Sequence, residues 1–228
     1  MLTKTRSKHP VVQNAPGGQR EKNKRDKLLR IKNAARELFI SKGYDDTTTR
    51  EIAVRAGVGM GTVFTYADNK RDLLFLIANE DLAETTARAA SHVSPSAPML
   101  SNLMAIFRDH YEFFLEQPAL SRLTLREMMF YESGTQANRF KATRELLISL
   151  VNEAVYHGKD RGEIASDKDH RLVGWVIFCV YQVELRRCLS ESRPDLDGGM
   201  ASLARALKVV VEGLAPHELP QRTKITLK

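Results

Sequence analysis

Gly57, Gly59 and Gly61 stand at every second position of the stretch AGVGMGTVFTYADNKRDLL, residues 56–74. Glycines spaced in this way suit either of two chemistries. They can form a backbone cradle for a nucleotide phosphate, or the tight corner between two short helices that grip a nucleic acid. The dinucleotide cradle needs a third glycine where this chain has Thr62, and it must follow a buried strand. The preceding residues REIAVRA have a helical period instead, and no Gly-Lys-Ser/Thr follows to make a phosphate loop. The helical corner is the reading that survives.

Other reactive side chains do not converge. Cys179 and Cys188 are nine residues apart, which on a helix puts them on nearly opposite faces and disfavours a disulfide or shared metal. His9, His92, His110, His157, His170 and His217 show no ligand spacing. No nucleophile elbow or carboxylate pair is visible, so no metal, no cofactor and no catalytic residue is expected, and an enzyme is the disfavoured class.

The corner needs helices to hold it, and the sequence supplies them. Leu28, Ile31, Ala35, Leu38 and Phe39 make an apolar stripe that Lys42-Gly43 closes. Thr48 followed by Glu51 reads as a capping box, and Ile52 and Ala53 face inward on a helix of two turns ended by Gly57. A third helix of about Met60 to Tyr66 would be roughly 10 Å long, short enough for a major groove about 12 Å wide. Asn69 caps a fourth, carrying Leu73, Leu74, Leu76 and Ile77. Further helical periods fit about 98–116, 119–132, 136–157, 167–191 and 197–214, with no alternating strand pattern. The fold class is all-α, about nine helices. A basic tail expected to be disordered covers 1–22, a helix-turn-helix domain 23–68, a larger helical domain 69–216 and a second disordered tail 217–228.

Charge points to the partner. Residues 1–30 hold nine Lys/Arg against Glu21 and Asp26, which accounts for the whole net charge of +7. A polyanion near the N-terminus is the implied partner, with a solvated basic tail as the bland alternative. The longest apolar run, Leu172–Tyr181, is ten residues, about half of what a bilayer span requires. With no secretory signal visible, a cytoplasmic protein without membrane association is expected.

Residues 35–74, ARELFISKGYDDTTTREIAVRAGVGMGTVFTYADNKRDLL, resemble the DNA-binding domain of the TetR-like (tetracycline-repressor) transcriptional regulators. The resemblance rests on the Lys-Gly-Tyr end of helix 1, the paired threonines, the Ile-Ala-Ala-Gly-Val series, Gly61-Thr62 and the lysine that opens helix 4. It implies a homodimer on an inverted repeat of double-stranded DNA, a repressor released by a small-molecule effector. It also implies roles: Thr48 on a phosphate, Met60, Thr62 and Thr65 toward base edges, and Tyr66 and Lys70 on phosphates. Thr49, Arg50, Gly59 and Gly61 belong to the same interface, and Lys24 and Arg25 (with Lys22) sit where phosphate contact is open to them. Phe64 stands in place of a usual tyrosine, and Ala67 in place of a common aromatic.

The larger domain offers two further expectations. Residues 167–191 are apolar nearly all round, so Leu172, Val176 and Val180, with Leu203, Leu207, Val210 and Val211 of the last helix, suggest a four-helix dimer interface. A central core helix in a monomer is the alternative. Phe107, His110, Tyr111, Phe114, Met128, Met129, Tyr131, Trp175, Phe178 and Gln182 suggest the walls of an apolar or amphipathic effector pocket. For each of these alone, ordinary core is the competing reading, and Glu184 is a polar group that could turn inward. A helical DNA-binding protein controlled by a protein partner, or an architectural one, stays open at this point.

Overall fold

The structure, a computed structural model, describes residues 16–214. Among these residues there are nine helices and no strand: α1 Pro16–Ser41, α2 Thr49–Ala56, α3 Met60–Phe64, α4 Lys70–Ala90, α5 Met99–Glu116, α6 Pro118–Glu127, α7 Ala137–Asp160, α8 His170–Ser190 and α9 Leu196–Leu214. The all-α expectation and the number of helices are met.

Several boundaries differ from the sequence expectation, with α7 running on to Asp160 and α8 starting only at His170. Helix α1 begins at Pro16 rather than near residue 23. Proline is at home in a first helical position, where its missing N–H costs nothing. The residues from Gln19 to Leu29 then contain no glycine, proline or β-branched residue to stop the helix. The rest of the expected tails, 1–15 and 217–228, lies outside the described residues. Helix α3 closes at Phe64, and α6 ends at Glu127 rather than 132 because the chain turns through Phe130 with φ of 58°.

Two apolar clusters form. Ile31, Ala35 and Phe39 of α1, Ile52 and Ala56 of α2 and Val63 of α3 bury against Leu73, Leu74 and Ile77 of α4. The larger cluster joins Phe75 and Leu82 of α4 to Leu103 and Phe107 of α5, Val151 of α7, Ile177 and Tyr181 of α8 and Leu203 of α9. Helix α4 therefore has one face in each core. Its 21 residues make a rod of about 30 Å that joins them.

Helix α8 buries Val173, Ile177, Phe178, Tyr181 and Leu185. Its other face leaves Leu172 61 %, Val183 63 %, Trp175 43 % and Val176 41 % exposed. The expectation that Leu203 and Leu207 lie between subunits is corrected, because both are fully buried in their own chain's core. Val180, Val210 and Val211 are half-buried against that same core. A stripe facing its own core and one facing a partner have the same period, so sequence spacing does not separate them.

Candidate nucleic-acid interface and effector groove

The corner is built by local hydrogen bonding. The Thr48 hydroxyl accepts from the Glu51 amide (3.2 Å), and the Glu51 carboxylate accepts from the Thr48 amide (2.9 Å), which completes the capping box. Lys42 Nζ lies 2.5 Å from the other oxygen of Glu51. That hydrogen bond, followed by those from Thr48, lowers the Glu51 pKa to about 2. Gly57 ends α2 in the left-handed region, φ 61°, ψ 42°, and its N–H satisfies the Ala53 and Val54 carbonyls. Gly59 then caps α3 in an extended conformation. Among the described residues, nothing beyond the adjoining residues and the helix's own backbone lies within 4 Å of where a Cβ on Gly59 or Gly61 would stand, so this side of the corner is open to an outside surface.

The predicted contact residues divide by whether their donors are free. Met60 and Thr62 are half-buried and Thr65 is exposed, along the open side of α3. The Thr65 hydroxyl donates back to the Gly61 carbonyl at 3.0 Å. Thr49 is half-buried at the start of α2, and Arg50 is exposed beside it. Thr48 donates its hydroxyl to Glu51 (2.9 Å) and Tyr66 donates to the Lys24 carbonyl (3.3 Å). Lys70 folds inward, donating to the carbonyls of Tyr44 (2.8 Å) and Asp45 (3.0 Å) with its ammonium 4.6 Å from the Tyr44 ring. Lys24 and Arg25 are exposed on α1. Ala67 is fully buried in the small core.

In the larger domain a groove of about 730 Å³ opens between the 128–132 segment, α7 and α8. Met128, Met129, Tyr131, Trp175, Phe178 and Gln182 are among its lining residues. Sharing Phe140, Arg144 and Phe178 with it is a small chamber of about 30 Å³ also lined by His110 and Phe114. Phe107 and Tyr111 are corrected to core residues. Phe107 stacks on Tyr181 at 4.3 Å and Tyr111 packs against the same ring, both without exposed surface. Glu184 faces away, paired with Arg187 (3.2 Å) and accepting from Ser202 (2.9 Å).

Sequence reasoning missed Phe140 and Arg144 on α7 and Tyr181 and Arg186 on α8. The 140/144 spacing on a helix facing Phe178 and Gln182 was the available signal. Lys141, Arg144 and Arg186 give the groove three cations against Glu132. Among the described residues none of the three pairs with a carboxylate. Arg144 lies over the rings of Trp175 (5.7 Å) and Phe178 (5.5 Å), and burial lowers the Arg186 pKa.

At the chamber floor the hydrogen bonds fix a direction. Thr86 donates to the Leu82 carbonyl (2.9 Å), so its oxygen accepts from His110 Nε2–H (3.2 Å), leaving Nδ1 to accept from the Tyr181 hydroxyl (3.3 Å). Burial, then the charge of Arg88, lowers the His110 pKa to about 4, and the ring is neutral at pH 7.

The groove wall is tied to the corner. The Tyr131 hydroxyl donates to Asp72, a fully buried carboxylate in the first turn of α4. Asp72 also accepts from the amides of Asp68 (2.9 Å) and Thr135 (2.8 Å). Gln136 Nε2 donates to the Tyr66 carbonyl just past α3 (3.0 Å). Gly134, at φ 127°, lies so close to Asp72 that a Cβ would overlap the carboxylate. No titrating cluster suited to metal binding occurs among the described residues, and no helix there is long and apolar enough to cross a membrane.

Residues 31–77 match the family model "Bacterial regulatory proteins, tetR family". The chain is 26% identical over 160 residues to the fatty acid metabolism regulator protein of Bacillus subtilis, covering 69% of this chain and 80% of that one. Its fold matches Thermus thermophilus FadR, a TetR-family transcriptional repressor solved with lauroyl-CoA, at TM-score 0.61 and 24% identity over 85% of this chain and 97% of that one. It also matches FadR from Bacillus subtilis solved with stearoyl-CoA, at TM-score 0.62 and 21% identity over 81% and 98%.

Proposed function

Starting from a chain that carries the DNA-binding domain of the tetR family, we propose that it is a repressor that binds an inverted-repeat operator as a homodimer and leaves it when a fatty acyl-coenzyme A fills the α7–α8 groove. The observation that carries the effector class is the pairing of walls and rim. Met128, Phe140, Trp175 and Phe178 offer an apolar lining, while Lys141, Arg144 and Arg186 outnumber the one lining carboxylate, Glu132, and among the described residues none of the three is ion-paired. An acyl chain needs the first and the phosphates of coenzyme A need the second. The acyl-CoA complexes of the two FadR structures support the same class.

Met60, Thr62 and Thr65 are the residues assigned to base edges, with Gly59 and Gly61 admitting close approach and Thr49 and Arg50 beside them. Thr48, Tyr66 and Lys70 position the corner through their internal bonds rather than supplying free donors. The exposed α8 face of Leu172, Trp175, Val176 and Val183 is the assigned dimer contact, which sets the spacing of the two corners.

Coupling follows the bonds already described. A ligand that displaces Tyr131 or Phe140 in the groove wall pulls on Asp72 and, through Gln136, on Tyr66. Both lie at the junction of α3 and α4. The ligand must favour one of two arrangements of this junction for release to occur.

The test is selection of bound duplexes from a random DNA pool at low salt, followed by titration of the complex with lauroyl-CoA and with coenzyme A alone. Release by lauroyl-CoA but not by coenzyme A is expected. Retention of DNA across acyl-CoAs of every chain length rejects the effector class, and failure to select any duplex rejects the DNA-binding function.

A further inference from the structure

Helix α1 runs well past the domain it belongs to. Every residue from Gly18 to Lys27 is exposed, and the apolar stripe begins only at Leu28 and Ile31. The ten residues from Gly18 to Lys27 therefore project as about 15 Å of exposed helix. This rod is anchored at the corner. Arg30 Nη1 reaches the Gly57 carbonyl at 3.4 Å, and the Lys24 carbonyl accepts from Tyr66 at 3.3 Å. Moving toward its N-terminus, α1 passes first the turn between α2 and α3 and then the end of α3.

The charge on this rod differs from that on the rest of the domain. Arg55, Lys42 and Lys32 are each paired with a glutamate, and Lys70 is held by two carbonyls. From residue 16 to Lys70, the exposed cations without a partner are Arg20, Lys22, Lys24, Arg25, Lys27 and Arg50, and five of these six are on the projecting rod. Counting back from Ile31 by four, seven and eleven residues gives Lys27, Lys24 and Arg20, which share its face. The face that buries into the domain thus continues beyond it as a row of three cations beside α3.

We propose that this projecting part of α1 is a second DNA-contact element that lies along the phosphate backbone next to the half-site read by α3, with Arg20, Lys24 and Lys27 on phosphates. The proposal rests on the DNA-binding function above and extends the interface beyond the corner. A rod of about 15 Å spans the phosphates of roughly four base pairs at 3.4 Å each. These contacts are independent of base sequence, so they add affinity and salt dependence without adding specificity.

The experiment compares the full chain with the triple variant R20Q/K24Q/K27Q on a selected operator. Operator affinity is measured from 50 to 300 mM salt, with hydroxyl-radical footprints at saturation. All three positions are exposed, so an unchanged thermal midpoint verifies folding. A control variant, R171Q/R193Q/R205Q, removes three exposed cations of the larger domain. The rod variant is expected to lower the slope of log affinity against log salt by about 5 for a dimer making all six contacts, at ~0.9 per phosphate. It should also lose protection over about four base pairs beside each half-site, while the control keeps both slope and footprint. Wild-type binding with slope and footprint unaltered in the rod variant overturns this proposal alone. An equal slope change in the control, with no footprint change in either variant, also overturns it, because general charge would then explain the effect. Absence of any wild-type binding overturns the DNA-binding function as well.

Discussion

At the scale of single residues, the reciprocal cap of Thr48 and Glu51 fixes the start of α2. Thr48 and Glu51 are three residues apart, and their reciprocal bonds follow from that spacing alone. Lys70 was legible as a residue but not as a contact. Its ammonium is claimed by the carbonyls of Tyr44 and Asp45, which only the folded chain brings near. Lys70→Ala is therefore expected to lower the thermal midpoint and leave the salt slope of DNA binding unchanged, which calorimetry and anisotropy together would check. Two titrations follow from the same scale. The depressed pKa of Glu51, from 4.5 to about 2, stabilises the fold above 4.5, and this contribution is lost as pH falls toward 2. Glu51→Gln keeps the cap but not the charge, so its denaturation midpoint should fall less than wild type's over that window. His110 works in the opposite sense. Its pKa drops from 6.5 to about 4, so the unfolded chain binds the proton first and stability falls as pH decreases from 6.5 to 4. The slope from this one group approaches about 1.4 kcal/mol per pH unit at most, and His110→Asn should flatten it in urea titrations.

Among elements, periodicity placed nearly every helix but left their faces ambiguous. Helix α5 is buried on most sides, so Phe107 and Tyr111 read as well for pocket as for core, and the structure puts them in the core. Phe140 and Arg144 were overlooked because α7 carries few aromatics and its groove face is set by its crossing with α8. The projecting start of α1 was hidden by Pro16, Gly17 and Gly18, which read as a break although proline also opens helices. The segment between α6 and α7 is the element on which the proposed coupling depends. Tyr131→Phe removes one of the donors to buried Asp72 and is expected to cost about 1.5–3 kcal/mol in chemical denaturation. It should also weaken the response of DNA binding to effector more than it weakens DNA binding itself. Gly134→Ala strikes the same junction harder, because its φ of 127° disfavours a side chain and the added Cβ overlaps Asp72. A loss larger than that of Tyr131→Phe is expected in the same denaturation series.

For the molecule as a whole, two cores share one helix, and a groove in the larger core is tied by Tyr131 and Gln136 to the corner in the smaller one. The dimer contact proposed on α8 predicts that Leu172→Glu with Val176→Glu produces monomers in sedimentation and reduces operator affinity at least tenfold. The allosteric claim has a stricter consequence, since coupling between two ligands is reciprocal. The decisive measurement is calorimetric titration of lauroyl-CoA into the free protein and into its operator complex. The bound operator should weaken lauroyl-CoA by the same factor by which saturating lauroyl-CoA weakens the operator. Equal affinity for lauroyl-CoA with and without the operator would contradict the account, because the groove and the corner would then be energetically separate.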